Sequence, residues 1–203
     1  MNTFVRWLSA FTIQVSALAA MSCVAIAVDT PTVPQQQMTS RICSSNNKVE
    51  DMLPPPVGEQ RNSPLSYLAQ QGFTQNKDGS WSCYISDPRK QGNYYTLFKV
   101  QQIDGKLIAS SFLENGSLIS GQDNRSLDLF MMLISNYTKA KEDTRLGIHR
   151  YLESFISLVK QGKIPTSLRG YLFDQENRGL VLYHNLPQGQ LKGTAITINI
   201  SMS

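Results

Sequence analysis

The clearest hydrophobic period in the chain runs from Thr144 to Gln161. There Ile148, Tyr151, Leu152, Phe155, Ile156 and Val159 follow the i, i+3, i+4, i+7, i+8, i+11 spacing of one helical stripe. Gly162 and Pro165 end it. The segment before it, Leu127 to Tyr137, is almost wholly apolar through Leu129, Phe130, Met131, Met132, Leu133 and Ile134, which predicts a helix covered on most sides. Together they predict a helix pair at about 126–138 and 144–161.

Upstream the punctuation changes to that of hairpins. Asp78-Gly79, Asp104-Gly105 and Asn115-Gly116 tolerate the positive φ that tight turns need. They separate apolar runs at Ser80 to Ile85, Tyr94 to Ile103, Lys106 to Leu113 and Ser117 to Ser120, a meander of antiparallel strands. Tyr94, Tyr95, Leu97, Phe98 and Val100 put apolar side chains on both faces of their strand, which places it near the middle of a sheet. After the helix pair, strands return at Gly170 to Asp174, Gly179 to His184 and Thr194 to Ser201. In the last, Ile196, Ile198 and Ile200 alternate with Thr197 and Asn199, which predicts one buried face and one that is wet or at an edge. A short N-terminal helix is expected over 64–71: Ser63 is a capping residue, Pro64 suits the first helical position and Gly72 suits a left-handed stop. The order predicts an α+β fold, an antiparallel sheet built from two meanders with the helix pair packed on it.

The first 62 residues read differently. Met1 to Arg6 carries one positive charge, and Trp7 to Val28 carries none. This is the pattern of an export leader, and Ala25-Ile26-Ala27 offers the small residues a signal peptidase accepts, so residues 1–27 are expected to be a signal peptide cleaved before Val28. Two other readings compete with cleavage. The apolar stretch is long enough to be a retained anchor, although Ser9, Thr12, Gln14, Ser16 and Ser22 make a poor span. Ala20-Met21-Ser22-Cys23 resembles the lipobox of bacterial lipoproteins, which would make Cys23 a lipidation site. The resemblance is partial, because Ala20 stands where that motif usually has Leu. Residues 28–62 hold most of the prolines, with Gln35-Gln36-Gln37 and Pro54-Pro55-Pro56, and read as a Pro/Gln-rich flexible tether. Residues 63–203 are then a single globular domain.

Composition bounds the class. Of 203 residues, 41% are hydrophobic and 17% charged, enough apolar surface for a core and too little charge for a wholly disordered chain. Removing the leader takes Cys23 with it and leaves Cys43 and Cys83, an even pair in a compartment that permits disulfides, so a bridge between them is expected. The net charge of +4 loses only Arg6 with the leader, leaving +3. Between Lys139 and Arg169, seven basic residues (Lys139, Lys141, Arg145, Arg150, Lys160, Lys163 and Arg169) stand against Glu142, Asp143 and Glu153. This cluster is the candidate binding face for another protein or an anionic surface of the envelope, the competing reading being a solvated helix face. Nucleic acid is not an expected partner of an exported chain without a recognised binding module. Membrane association through the N-terminus is the alternative to release of the chain.

The sequence holds no nucleophile elbow, phosphate-binding loop, dinucleotide fingerprint or zinc-protease helix. Of the two histidines, His149 falls among Arg145, Arg150 and Glu153 on a polar helix face. His184 alternates with Leu180 and Leu182 and reads as a half-buried strand residue. Two histidines without a third ligand in register argue against metal, and no cofactor is expected. Asp78 and Asp104 occupy turn positions that favour Asp for backbone reasons, and Asp174 with Glu176 borders another turn. Asp123 or Asn124 is expected to cap a helix, and with Asp128 does not match a calcium loop. The Asn-x-Ser/Thr triplets at Asn115, Asn124, Asn136 and Asn199 would be glycan acceptors in a eukaryotic secretory path, and turn chemistry and chance explain most of them. The leading expectation is therefore a non-enzymatic envelope protein that binds through its basic residues. The alternatives are an exported hydrolase using His184 as base beside Asp174, and a structural assembly subunit.

Overall fold

Ser63 precedes the first helix and accepts a hydrogen bond at Oγ from the Leu65 N–H, 3.2 Å away. In the computed structural model, which describes residues 41–43, 63–86, 94–174, 178–186 and 193–201, the helix that follows is a 3-10 helix over Ser66–Gln71. Gly72 closes it at φ 84°, the left-handed conformation a residue without Cβ adopts at low cost. All the described residues belong to one unit, Met38–Ser203.

Seven strands follow: β1 (Thr74–Gln75), β2 (Trp81–Ser86), β3 (Tyr94–Ile103), β4 (Lys106–Leu113), β5 (Arg169–Asp174), β6 (Arg178–Asn185) and β7 (Thr194–Ser201). They form one antiparallel sheet in the order β1-β2-β3-β4-β7-β6-β5. Two helices, α1 (Gln122–Tyr137) and α2 (Glu142–Lys160), stand between β4 and β5 in the chain, and the fold is α+β.

Strand alternation decides what the helices cover. Cys83, Phe98, Ser111, Ile196 and Tyr183 share one transverse row, and Trp81, Val100, Ala109, Ile198, Val181 and Gly170 the next. Both rows point to the same face. Ser111 touches Ser126 of α1 there, and Gly170 lies against Tyr151 of α2, so both helices pack on that face. Leu129, Phe130, Leu133 and Ile134 of α1 and Ile148, Leu152, Phe155, Ile156 and Val159 of α2 complete the core. Tyr151, part of the expected apolar stripe, stays exposed at its edge.

Four local expectations change. The Asp104-Gly105 and Asn115-Gly116 turns have both residues at positive φ, whereas at Asp78-Gly79 only Gly79 does. There the Asp78 carboxylate instead accepts from the Ser80 N–H at 3.0 Å, within a longer turn. The run at Ser117 to Ser120 forms no strand beyond a single bridge, Glu114 to Ser117, because the chain must leave the sheet to start α1. The N-cap of α1 is Gly121 in the left-handed region, not Asp123 or Asn124, which fall within the first turn. Finally, β7 is no edge: it lies between β4 and β6 along its whole length, with Ile196, Ile198 and Ile200 fully buried.

Candidate functional site

The densest unusual chemistry lies where α1 crosses β2 and β3. Cys43 and Cys83 are joined by a disulfide. Cys83 is fully buried in β2 beneath α1, while Cys43 is half-buried on the short segment Arg41–Cys43. That segment is strapped to the domain by several contacts. Ile42 is 3% exposed, the Cys43 N–H donates to the Gln71 carbonyl at 2.9 Å, and Arg125 Nε donates to the Ile42 carbonyl at 2.7 Å. The tether expected over 28–62 is thus docked at these three residues, and its remainder lies outside the described residues.

Arg125 comes from the first turns of α1. Its guanidinium lies 5.6 Å over the Phe98 ring and its Nη2 is 3.8 Å from Cys83 Sγ. Among the described residues it has no carboxylate partner, so its charge rests on a carbonyl, an aromatic face and a sulfur. Burial pulls its pKa down from the ordinary arginine value, against an opposing influence from Tyr95. No sequence pattern marks this arginine.

A second polar group is buried under α1. Gln122 Nε2 donates to Ser111 Oγ at 2.9 Å and to the Phe112 carbonyl at 2.7 Å, and its Oε1 accepts from the Ile119 N–H at 2.9 Å. Ser126 gives its one hydroxyl proton to the Gln122 carbonyl, so in the 2.8 Å pair with Ser111 it is Ser111 that donates. Every donor in this ring is used, which makes it a structural joint between β4 and α1.

His184 lies on the opposite face of the sheet from the helices. Its Nδ1 is 3.0 Å from the Asn185 carbonyl, which only accepts, so Nδ1 carries the proton. In the neutral ring Nε2 then accepts from Thr197 Oγ1 at 2.8 Å, and Thr197 in turn takes a proton from Ser110 at 2.8 Å. The lone pair a general base would use is occupied. Asp174 is not brought to it: Asp174 pairs with Arg178 at one end of β6 and His184 is at the other, roughly 20 Å away at about 3.3 Å per residue.

The basic candidates come from α2 and the segments at its two ends. Lys139, Lys141, Arg150, Lys160 and Lys163 are exposed and Arg145 is half-buried. Arg145 and Arg150 lie five residues apart on α2, which turns them about 140° from one another around the axis. Lys160 is paired with Asp123 across the helix pair, and the lysine lowers the Asp123 pKa by hydrogen bond and charge, against burial. His149, on α2, faces Asp128 of α1, whose carboxyl is pushed up by burial and held back by the histidine. Cys23 lies outside the described residues.

A different set of residues does share a surface. On the sheet face away from the helices, Ile108, Leu180 and Leu182 are half-buried, while Ile103 is 47% and Tyr171 60% exposed. Lys99, Lys106, Arg169 and Arg178 project from the same face. Lys99 is paired with Asp78 at 3.3 Å and Arg178 with Asp174 at 3.4 Å, with Arg178 also 5.9 Å over Tyr171. Lys106 and Arg178 both flank Ser201 of β7, about 10 Å apart at the usual strand spacing. Sequence reasoning missed this surface because its residues come from four strands.

Among the described residues no group of three or more His, Cys, Asp or Glu is placed to hold a metal, and no helix is long and apolar enough to cross a membrane. Comparison of the chain with protein-family models, with curated proteins and with solved structures gives no match.

Proposed function

We propose that the chain is an exported, non-enzymatic protein of the cell envelope, a binding or accessory module for another protein or an anionic surface. The observation that carries this reading is the one-sidedness of the sheet. Both helices cover one face, and the other displays aliphatic side chains and Tyr171 together with Lys99, Lys106, Arg169 and Arg178. A surface that mixes Ile108, Leu180, Leu182 and Tyr171 with Thr197 and Asn199, and carries Lys106 and Arg169 beside the paired Lys99 and Arg178, suits an acidic, amphipathic partner. The sheet is read as two meanders, β1 to β4 and β5 to β7, joined along β4 and β7, so this surface spans both. The leader over 1–27, the tether over 28–62 and the domain from 63 onward support export, with N-terminal attachment to the membrane as the alternative to release.

Two experiments test the reading. Intact mass of the native protein from soluble and membrane fractions reads the N-terminus: a soluble chain starting at Val28 supports export and cleavage, and a membrane species lipidated on Cys23 or keeping Met1 assigns a surface-anchored module. Co-sedimentation and pull-down then compare Lys106→Glu/Arg169→Glu with Lys141→Glu/Arg145→Glu/Arg150→Glu. Loss of partners in the first pair alone supports the sheet face, loss in the triple variant alone supports α2, and unchanged partners in both defeat the binding reading.

A further inference from the structure

The Cys43–Cys83 disulfide departs from an inert staple in one respect: a half-buried guanidinium without a carboxylate partner among the described residues donates towards the sulfur of Cys83. Arg125 Nη2 is 3.8 Å from Cys83 Sγ, and its Nε is committed to the Ile42 carbonyl, which holds the group in place. A cation beside a sulfur does little for a disulfide, which is neutral. It does a great deal for a thiolate, which it lowers in free energy and in pKa. The two sulfurs also differ in access: Cys83 is 0% exposed beneath α1, and Cys43 is half-buried on a three-residue strap. Exchange at a disulfide needs an accessible sulfur for attack and a stable thiolate as leaving group. Here the first requirement falls on Cys43 and the second on Cys83.

We infer that Cys43–Cys83 is a thiol–disulfide exchange site for a dithiol reductant, attacked at Cys43, with Cys83 as the leaving thiolate held by Arg125. In the first step a reductant thiolate forms a bond to Cys43 Sγ as the Cys43–Cys83 bond breaks, and the electron pair of that bond goes to Cys83. In the second, the other reductant thiol loses its proton and attacks its own sulfur in the mixed disulfide, releasing Cys43. The reductant leaves as a disulfide, and the protein gains two electrons and two protons as Cys43 and Cys83. The Arg41–Cys43 strap then loses its covalent tie to β2 and is held by its hydrogen bonds to Gln71 and Arg125 alone.

The wild-type chain tests the direction of attack without any variant. It is treated with reduced glutathione, quenched with iodoacetamide and mapped by peptide mass spectrometry. Glutathione on Cys43 with carbamidomethyl on Cys83, in at least about tenfold excess over the reverse, is the expected result. The reverse assignment or an even mixture overturns the inference. Reduction by dithiothreitol at pH 7 is then expected to slow about tenfold in Arg125→Met, which keeps the side-chain volume and loses the charge, with an intermediate rate in Arg125→Lys. Equal rates in wild type and Arg125→Met overturn it. If Arg125→Met does not fold, the Cys83 thiol in Cys43→Ser is titrated by absorbance at 240 nm: a pKa below the usual value of about 8.5 supports the inference, and an ordinary or raised one overturns it.

Discussion

The carbonyl oxygen of Cys43 occupies the space that a Cβ on Gly72 would fill. Gly72 also sits at φ 84°, so two independent constraints require glycine there: the left-handed backbone and the close approach of the strap. Gly72→Ala is expected to cost at least about 2 kcal/mol in urea unfolding, from the strained φ plus displacement of Cys43. In a Cys43→Ser/Cys83→Ser background the strap can move away, so the same substitution should cost less. The double variant by itself is expected to lose up to about 4 kcal/mol, the effect of freeing a loop with a sequence separation of 40.

Gln122 is the residue whose loss should damage the core most without changing its volume much. Gln122→Leu leaves the Ile119 N–H and the Phe112 carbonyl without their partner and takes away the donor to Ser111, for an expected cost of about 2–3 kcal/mol. Ser126→Ala removes the acceptor of the Ser111 hydroxyl and a donor to the Gln122 carbonyl, and about 1 kcal/mol is expected. Denaturant midpoints of the two variants give the comparison. Equal losses would show that the joint between β4 and α1 does not depend on Gln122.

Two carboxylates on α1 have opposite pH signatures. Lys160 lowers the pKa of Asp123, so the stability Asp123 contributes is present above its unfolded pKa and is lost as pH falls through the lower folded value. Asp123→Asn should therefore destabilise at pH 7 by at most about 1 kcal/mol, and the difference from wild type should vanish in strong acid. Asp128 is raised by burial, so its contribution is favourable only below its unfolded pKa and is lost as pH rises through the folded one. Asp128→Asn should stabilise the protein at pH 7 and be neutral in acid. Melting temperatures from pH 2 to 7 check both signs.

Tyr137 sets an alkaline limit. Burial first, and the neighbouring Tyr67 second, push its hydroxyl up to about 12. Because the folded pKa is raised, the neutral form is favoured on folding, and stability falls as pH rises from the usual tyrosine value of about 10 towards that of the folded state. The hydroxyl has no hydrogen-bond partner among the described residues. Tyr137→Phe is thus expected to be close to neutral at pH 7 and to flatten the alkaline decline, which stability curves between pH 8 and 12 will show. A decline of unchanged slope would place its origin elsewhere.

Much of this protein was legible in its residues because it is local in origin. Helical period, glycine at positive φ and strand alternation are decided by neighbours a few residues apart, and they placed both helices, the Asp104-Gly105 turn and strands β2 to β7. The even pair of cysteines likewise announced their bridge. Three-dimensional packing decided the rest. Nothing local says that β7 inserts beside β4, and that pairing turned a strand with one wet-looking face into the interior of the sheet. Arg145 and Arg150, close in sequence, point about 140° apart because a helix turns by about 100° per residue, while Lys106, Arg169 and Arg178, far apart in sequence, share one face because strand alternation points them the same way. Arg125 is the sharpest case: as a lone charge in α1 it looks like solvent-facing surface, and only the crossing of α1 over β2 and β3 sets it against Phe98, Ile42 and Cys83. Sequence fixes what is settled within one element; which charges meet, and which sulfur a cation faces, depends on how elements distant in the chain pack together.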